Sequence, residues 1–226
     1  MGDVQRATCN GQIDGVKSDP LPYSPANFTG TWLNSGSKFF NFDEKQMETK
    51  IAVLRGINVG GKRKVPMADL RALCQQTGMG NVKTYIQSGN IVFRSAASSE
   101  QLAEMLTNEI KTRFGFEVPV IVRTGSELAQ AITDNPFYNK KADIGKLHLA
   151  FLNALPENVL VKQAETQQYK PDQFAVIGRS VFVYCEGKYH QSRLSNSFFE
   201  KKLNVSASTR NWKTVLKLAE LCKQEG

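Results

Sequence analysis

Asn81-Val82-Lys83-Thr84-Tyr85-Ile86-Gln87-Ser88-Gly89-Asn90-Ile91-Val92-Phe93-Arg94 contains two strands and the turn between them. β-Branched and aromatic residues mark strands at about 82–87 and 90–94, and Ser88-Gly89 joins them where positive φ costs little. A helical pattern lies on each side of this hairpin. Upstream, Met67, Leu70, Leu73 and Cys74 form one apolar stripe from about Pro66 to Thr77, with proline in the first turn and Gly78 as the stop. Downstream, Ser98 and Gln101 have capping-box spacing ahead of Leu102, Met105, Leu106, Ile110 and Phe114, and Gly115 closes that helix. Outside the helices lie two more strands, at about 50–55 and 117–123; Pro119 suggests that the second is an edge. The order is βαββαβ, the split-βαβ unit of ferredoxin-like domains.

The second half repeats it. A helix at about 125–134 opens with Thr124 and Glu127 in capping-box spacing. A strand (147–152), a polar helix or turn (156–166), and a hairpin (173–177, 180–185) turned at Gly178-Arg179 follow. A short helix (195–203), a strand near Val205 and a closing helix (211–223) complete the order, the last with Trp212, Val215, Leu216, Ala219 and Cys222 as its apolar stripe. The expected class is α+β: two ferredoxin-like βαββαβ subdomains with antiparallel sheets, plus a C-terminal helix. Residues 47–124 would form the first subdomain and 125–226 the second. Residues 1–46 read differently. Gly, Pro, Ser and Asn fill 16 of these 46 positions without apolar periodicity, so they are expected to be a disordered or extraneous extension, with Met47 where an initiator would fall.

Composition narrows the function classes. No apolar run is long enough to span a bilayer, and no signal-peptide pattern opens the chain, which points to the cytoplasm and to no membrane partner. Cys9, Cys74, Cys185 and Cys222 have no short spacing, as free thiols in a reducing compartment would. Residues 47–226 hold 25 Lys/Arg against 16 Asp/Glu, a basic excess that draws anionic partners without identifying them. The two histidines and scattered cysteines give no metal-ligand spacing, no cofactor motif is complete, and neither a nucleophile elbow nor a carboxylate pair marks a hydrolase.

Three runs stand out: Leu54-Arg55-Gly56-Ile57-Asn58-Val59-Gly60-Gly61-Lys62, Thr84-Tyr85-Ile86-Gln87-Ser88-Gly89-Asn90, and Ser208-Thr209-Arg210-Asn211-Trp212. With Val65-Pro66-Met67-Ala68-Asp69-Leu70-Arg71 they resemble the bacterial domain-of-unknown-function family 1697 over about residues 48–224. The resemblance implies two ferredoxin-like subdomains and supplies no reaction, ligand or catalytic residue.

Read by their own chemistry, these runs point to anions. Gly56 to Lys62 fits G-x-x-x-x-G-K, most of a nucleoside-triphosphate loop, but Arg63 replaces the metal-binding hydroxyl and Pro66 delays the helix. A working ATPase is thereby disfavoured, while a metal-free anion site remains, built on glycine-freed amides beside Arg55, Lys62, Arg63 and Lys64. Gln87, Ser88 and Asn90 are either a plain turn or amides that read a ligand edge from the sheet face opposite the helices. Arg210, expected at a helix start capped by Ser208 or Thr209, would oppose the helix dipole unless an anion, most simply a protein carboxylate, sits beside it. RNA stacking would use Tyr85 and Phe93, or Phe182 and Tyr184. The candidate ligand-binding set is therefore Arg55, Asn58, Gly60, Gly61, Lys62, Gln87, Ser88, Asn90, Arg210 and Asn211. Its expected partner is a phosphate-bearing small molecule or nucleic acid. An enzyme on a small phosphorylated or amide-containing substrate, and a scaffold meeting an acidic protein, fit the same residues.

Overall fold

A computed structural model describes residues 47–166 and 169–224; the expected extension at 1–46 lies outside them. The first half runs β1 (Glu48–Leu54), α1 (Met67–Gln76), β2 (Gly80–Tyr85), β3 (Asn90–Ser95), α2 (Ser99–Phe114) and β4 (Val120–Thr124), then α3 (Gly125–Asp134). The second repeats it with β5 (Leu147–Leu152), α4 (Asn158–Glu165), β6 (Gln173–Ile177), β7 (Ser180–Tyr184), α5 (Asn196–Leu203) and β8 (Ala207–Asn211), then α6 (Trp212–Lys223). Each half forms a four-stranded antiparallel sheet, ordered β2-β3-β1-β4 and β6-β7-β5-β8. The protein is α+β, with two ferredoxin-like units and a C-terminal helix. β4, which follows Pro119, is an edge strand as proline demands.

The local signals act at the positions expected of them. Ser98 and Gln101 form a reciprocal capping box on α2, Thr124 and Glu127 form one on α3, and Gly115 ends α2 at φ +80°. One expectation fails: β8 extends through Arg210, and α6 is capped by Asn211, whose side chain accepts from the Thr214 amide. The hydroxyls of Ser208 and Thr209 therefore cap nothing. In α6 the buried side chains are Trp212, Thr214, Val215, Leu218 and Cys222, whereas Leu216 and Ala219 are half-buried.

Alternation along the strands builds three cores. Ala52, Leu54, Ile91, Phe93 and Val122 face α1 and α2; Ala150, Leu152, Val181 and Val183 face α4 and α5. The opposite faces do not meet water. Ile51, Val53, Val92 and Ile121 of the first sheet share a core with Leu147, Leu149, Phe151 and Phe182 of the second, and with α3 and α6. Helix α6 touches β1 and β3 as well as β5 and β8. Each large apolar side chain covered in this way contributes about 1.5–3 kcal/mol, so burying both inner faces stabilises the protein substantially. It also removes the stacking platform that RNA recognition would need: Phe182 is fully buried and Tyr85 and Tyr184 pack against the shared core, while Phe93 is buried on the helix side of its sheet.

Among the described residues, no helix is long and apolar enough to cross a membrane. Cys74, Cys185 and Cys222 are buried; burial pushes the Cys74 thiol up to about 12, which makes it unreactive.

Candidate functional site

Residues 55–66, between β1 and α1, form a small stalked loop. Ile57 and Val65 anchor its base in the core. Asn58, at φ +55°, donates from Nδ2 to the carbonyls of Val65 (3.0 Å) and Gln87 (2.9 Å), while its Oδ1 accepts from the Val65 amide (2.8 Å). One side chain thus closes the stalk and fastens it to the β2–β3 turn. Beyond it the chain reverses at Gly60 and Gly61, with φ +58° and +73°, and the Lys62 amide donates to the Val59 carbonyl (3.1 Å). Two consecutive residues at positive φ are what a type I′ turn requires, and glycine adopts that conformation without strain. This is not a phosphate loop running into a helix: α1 starts only at Met67, and the Lys62 amide is committed to the turn.

The cations divide into two kinds. Lys62, Arg63 and Lys64 are exposed, and no carboxylate lies within ion-pair distance of them among the described residues. Arg55 instead pairs with Glu200 of α5 at 2.8 Å, and the other oxygen of Glu200 accepts from the Ala207 amide at 3.0 Å. Arg55 therefore ties the two halves together.

Arg210 is only 7% exposed, and all three of its guanidinium nitrogens are engaged. Its Nη2 donates to the carbonyls of Leu54 (2.7 Å), Ser88 (3.0 Å) and Gly89 (3.0 Å). Its Nη1 donates to the Thr209 carbonyl and the Ser208 hydroxyl, and its Nε to Asn90 Oδ1. Asn90 in turn donates to the Tyr85 carbonyl and to Ser88 Oγ. The expected carboxylate beside Arg210 is replaced by this ring of neutral oxygens. Desolvation lowers its pKa to about 10, which still leaves it charged near neutrality.

Of the candidate residues, Asn58, Gln87, Ser88, Asn90 and Arg210 come together around the end of β1 and the β2–β3 turn. Gly60, Gly61 and Lys62 form the exposed tip of the same loop, and Gln87 and Ser88 are also exposed beside its base. Asn211 is spent on capping α6, and no hydrogen bond joins it to the loop.

A second arginine mirrors the first. Arg123 on β4 is 4% exposed; its Nη1 donates to the Val122 carbonyl and its Nη2 to the carbonyls of Leu152 and Arg179. Arg123 lies opposite Ile51 as Arg210 lies opposite Leu149. Each arginine reaches across to the last residue of the other half's first strand, Leu54 or Leu152. Both of those residues bind their own hairpin turn alike, Leu54 N–H to Gly89 and Leu152 N–H to Arg179. A pseudo-twofold exchange of arginines holds the halves together. Arg123 carries no motif, but repetition marks it: Arg123-Thr124 and Arg210-Asn211 both place an arginine one residue before a helix cap.

The model of a family described as "Protein of unknown function (DUF1697)" matches residues 47–182. The chain belongs to that family. No curated protein matches it. Among solved structures it is similar to the conserved bacterial protein SP0830 from Streptococcus pneumoniae, with 26% identity and a TM-score of 0.65 over 78% of this chain and 99% of that one. Neither description assigns a reaction or a ligand.

Proposed function

We propose that this member of the DUF1697 family is a binding module for a phosphate-bearing ligand, met at the outer end of the loop at 55–66. One observation carries the reading: Lys62, Arg63 and Lys64 are consecutive, exposed and unpaired among the described residues, on a loop whose shape Asn58 fixes. Unpaired cations on a preshaped loop gain from an anion without first breaking an internal ion pair. The tip stands open, with Val59, Gly60, Gly61 and Lys62 all exposed. This favours phosphates along a nucleic-acid backbone over a nucleotide held in a pocket. Gln87 and Ser88, exposed at the loop base, would add hydrogen bonds to phosphate or sugar.

The test is fluorescence anisotropy with short RNA and DNA across a salt series, on the natural chain and on Lys62→Glu/Arg63→Glu/Lys64→Glu. Binding should weaken steeply with salt, and the reversed loop should lose roughly 2–3 units of the log–log slope, the share of three phosphate contacts. Equal slopes for the two proteins, or no binding by the natural chain, would sink the reading. The substitutions lie on an exposed loop, so stability should move by less than about 0.5 kcal/mol.

A further inference from the structure

The pseudo-twofold makes each half a control for the other, and at one position they diverge. Asn90 lies opposite Val53 in the first sheet, and Ser180 lies opposite Phe151 in the second. These positions correspond, because each directly follows the turn residue, Gly89 or Arg179, that accepts from Leu54 or Leu152. Asn90 gives its oxygen to Arg210 Nε. Ser180 is too short to do the same for Arg123, and the Arg123 Nε–H has no hydrogen bond among the described residues. An open cleft of about 180 Å³ lies at this spot, lined by Arg123, Ser180, Glu127, Asp134, Phe151 and Phe182, among others. Arg123, only 4% exposed as a residue, thus lines a cleft with an Nε–H that no described protein atom accepts.

We propose that the cleft is a small-molecule site for a carboxylate with an apolar body, whose oxygen takes on Arg123 Nε the place that Asn90 Oδ1 takes on Arg210. The charges around the cleft admit one negative charge at most. Arg123 Nε offers a local charge-assisted donor, but Arg179 is neutralised by Glu127 and Glu100 and Asp134 adds a further negative charge, so a dianion is repelled. Glu127 is already committed, accepting from the Thr124 amide and from Arg179, and Asp134 accepts from Gln130. Neither competes for Arg123 by hydrogen bonding. Phe151, Phe182 and Ile177 supply apolar wall for a ring or a short alkyl chain. This site is separate from the basic loop and does not depend on the reading given to it.

The experiment uses the full chain titrated calorimetrically with benzoate, hexanoate, benzamide and phenyl phosphate, beside the variant Ser180→Asn. Benzoate or hexanoate should bind, phenyl phosphate more weakly. Ser180→Asn should close the cleft, lowering carboxylate affinity at least about tenfold without lowering the melting temperature. Tighter binding of phenyl phosphate than of benzoate would overturn the assignment, as would carboxylate affinity unchanged by Ser180→Asn. Should that variant fold poorly, the Arg123 Nε–H resonance of the natural chain decides by itself. A shift on adding benzoate supports the site, and an unmoved signal at millimolar benzoate refutes it.

Discussion

The two halves share strand order, helix placement and the arginine exchange, yet differ at one end. The β1–α1 connection occupies residues 55–66, whereas β5–α4 needs only 153–157. The first hairpin turns over residues 86–89, with Ile86 at φ +48°, and the second over Gly178 and Arg179. The first half thus carries a raised basic loop above a fully satisfied arginine, and the second a short loop above an open cleft. What is common rests on backbone carbonyls, which every residue type supplies. What differs rests on side chains. A joint made through main-chain oxygens leaves the loops around it free to diverge, and the divergence is where function is sought.

The likeness of the halves is most exposed to challenge at the arginines. Arg210→Met should cost about 4 kcal/mol in urea denaturation, because each buried carbonyl left unpaired costs about 1–3 kcal/mol. Arg123→Met, with fewer acceptors to strand, should cost about 2 kcal/mol; equal losses would mean that the two clamps are energetically alike. Gly89→Ala tests the tighter turn. A Cβ there would sit 2.7 Å from Ile57 Cδ1 and 2.8 Å from Leu54 Cβ, at φ +77°, so a loss of about 2–3 kcal/mol is expected. A thermal melt within a degree of the natural chain would refute that crowding. Asn58→Ala, which has no counterpart in the second half, should cost about 1–2 kcal/mol and speed tryptic cleavage at Lys62–Lys64. Unchanged cleavage would show that the loop holds its shape without the clasp.

The smallest effect concerns the helix caps. Burial tends to raise the Glu127 pKa, but the Thr124 amide, Arg179 and Arg123 together outweigh it and hold the carboxyl below its usual value. A depressed native pKa contributes stability that is complete above the unfolded value of about 4.3 and fades as pH falls through the native one. Thr214, in the matching place on α6, carries no charge and adds no such dependence. Glu127→Gln should therefore flatten the acid limb of a stability–pH curve, and its gap from the natural chain should narrow below about pH 4. A gap constant with pH would assign the role of Glu127 to geometry alone.

Element order was legible in the sequence because its determinants are local: the Ser88-Gly89 turn, the boxes at Ser98/Gln101 and Thr124/Glu127, and the stripe on α1. Part of the candidate cluster was legible too, since glycine and amide residues marked the loop and the turn that Asn58 joins. The work of Arg210 was not. Its acceptors, Leu54, Ser88, Gly89 and Asn90, lie far away along the chain, and nothing local distinguishes a strand arginine from one at a helix start. Nor did alternation on β1 and β3 reveal what covers the outer-pointing residues. Period two says that both faces are apolar, not that a second sheet and α6 supply the cover.

That cover has a consequence for biosynthesis. Ile51, Val53, Val92 and Ile121 are translated early, but α6, which helps to seal them, is finished only when residue 223 has been added. Until then a growing chain presents a sticky apolar sheet to the cell. Chaperone engagement should therefore persist until residue 223 has emerged, with α6 acting as the latch that ends it.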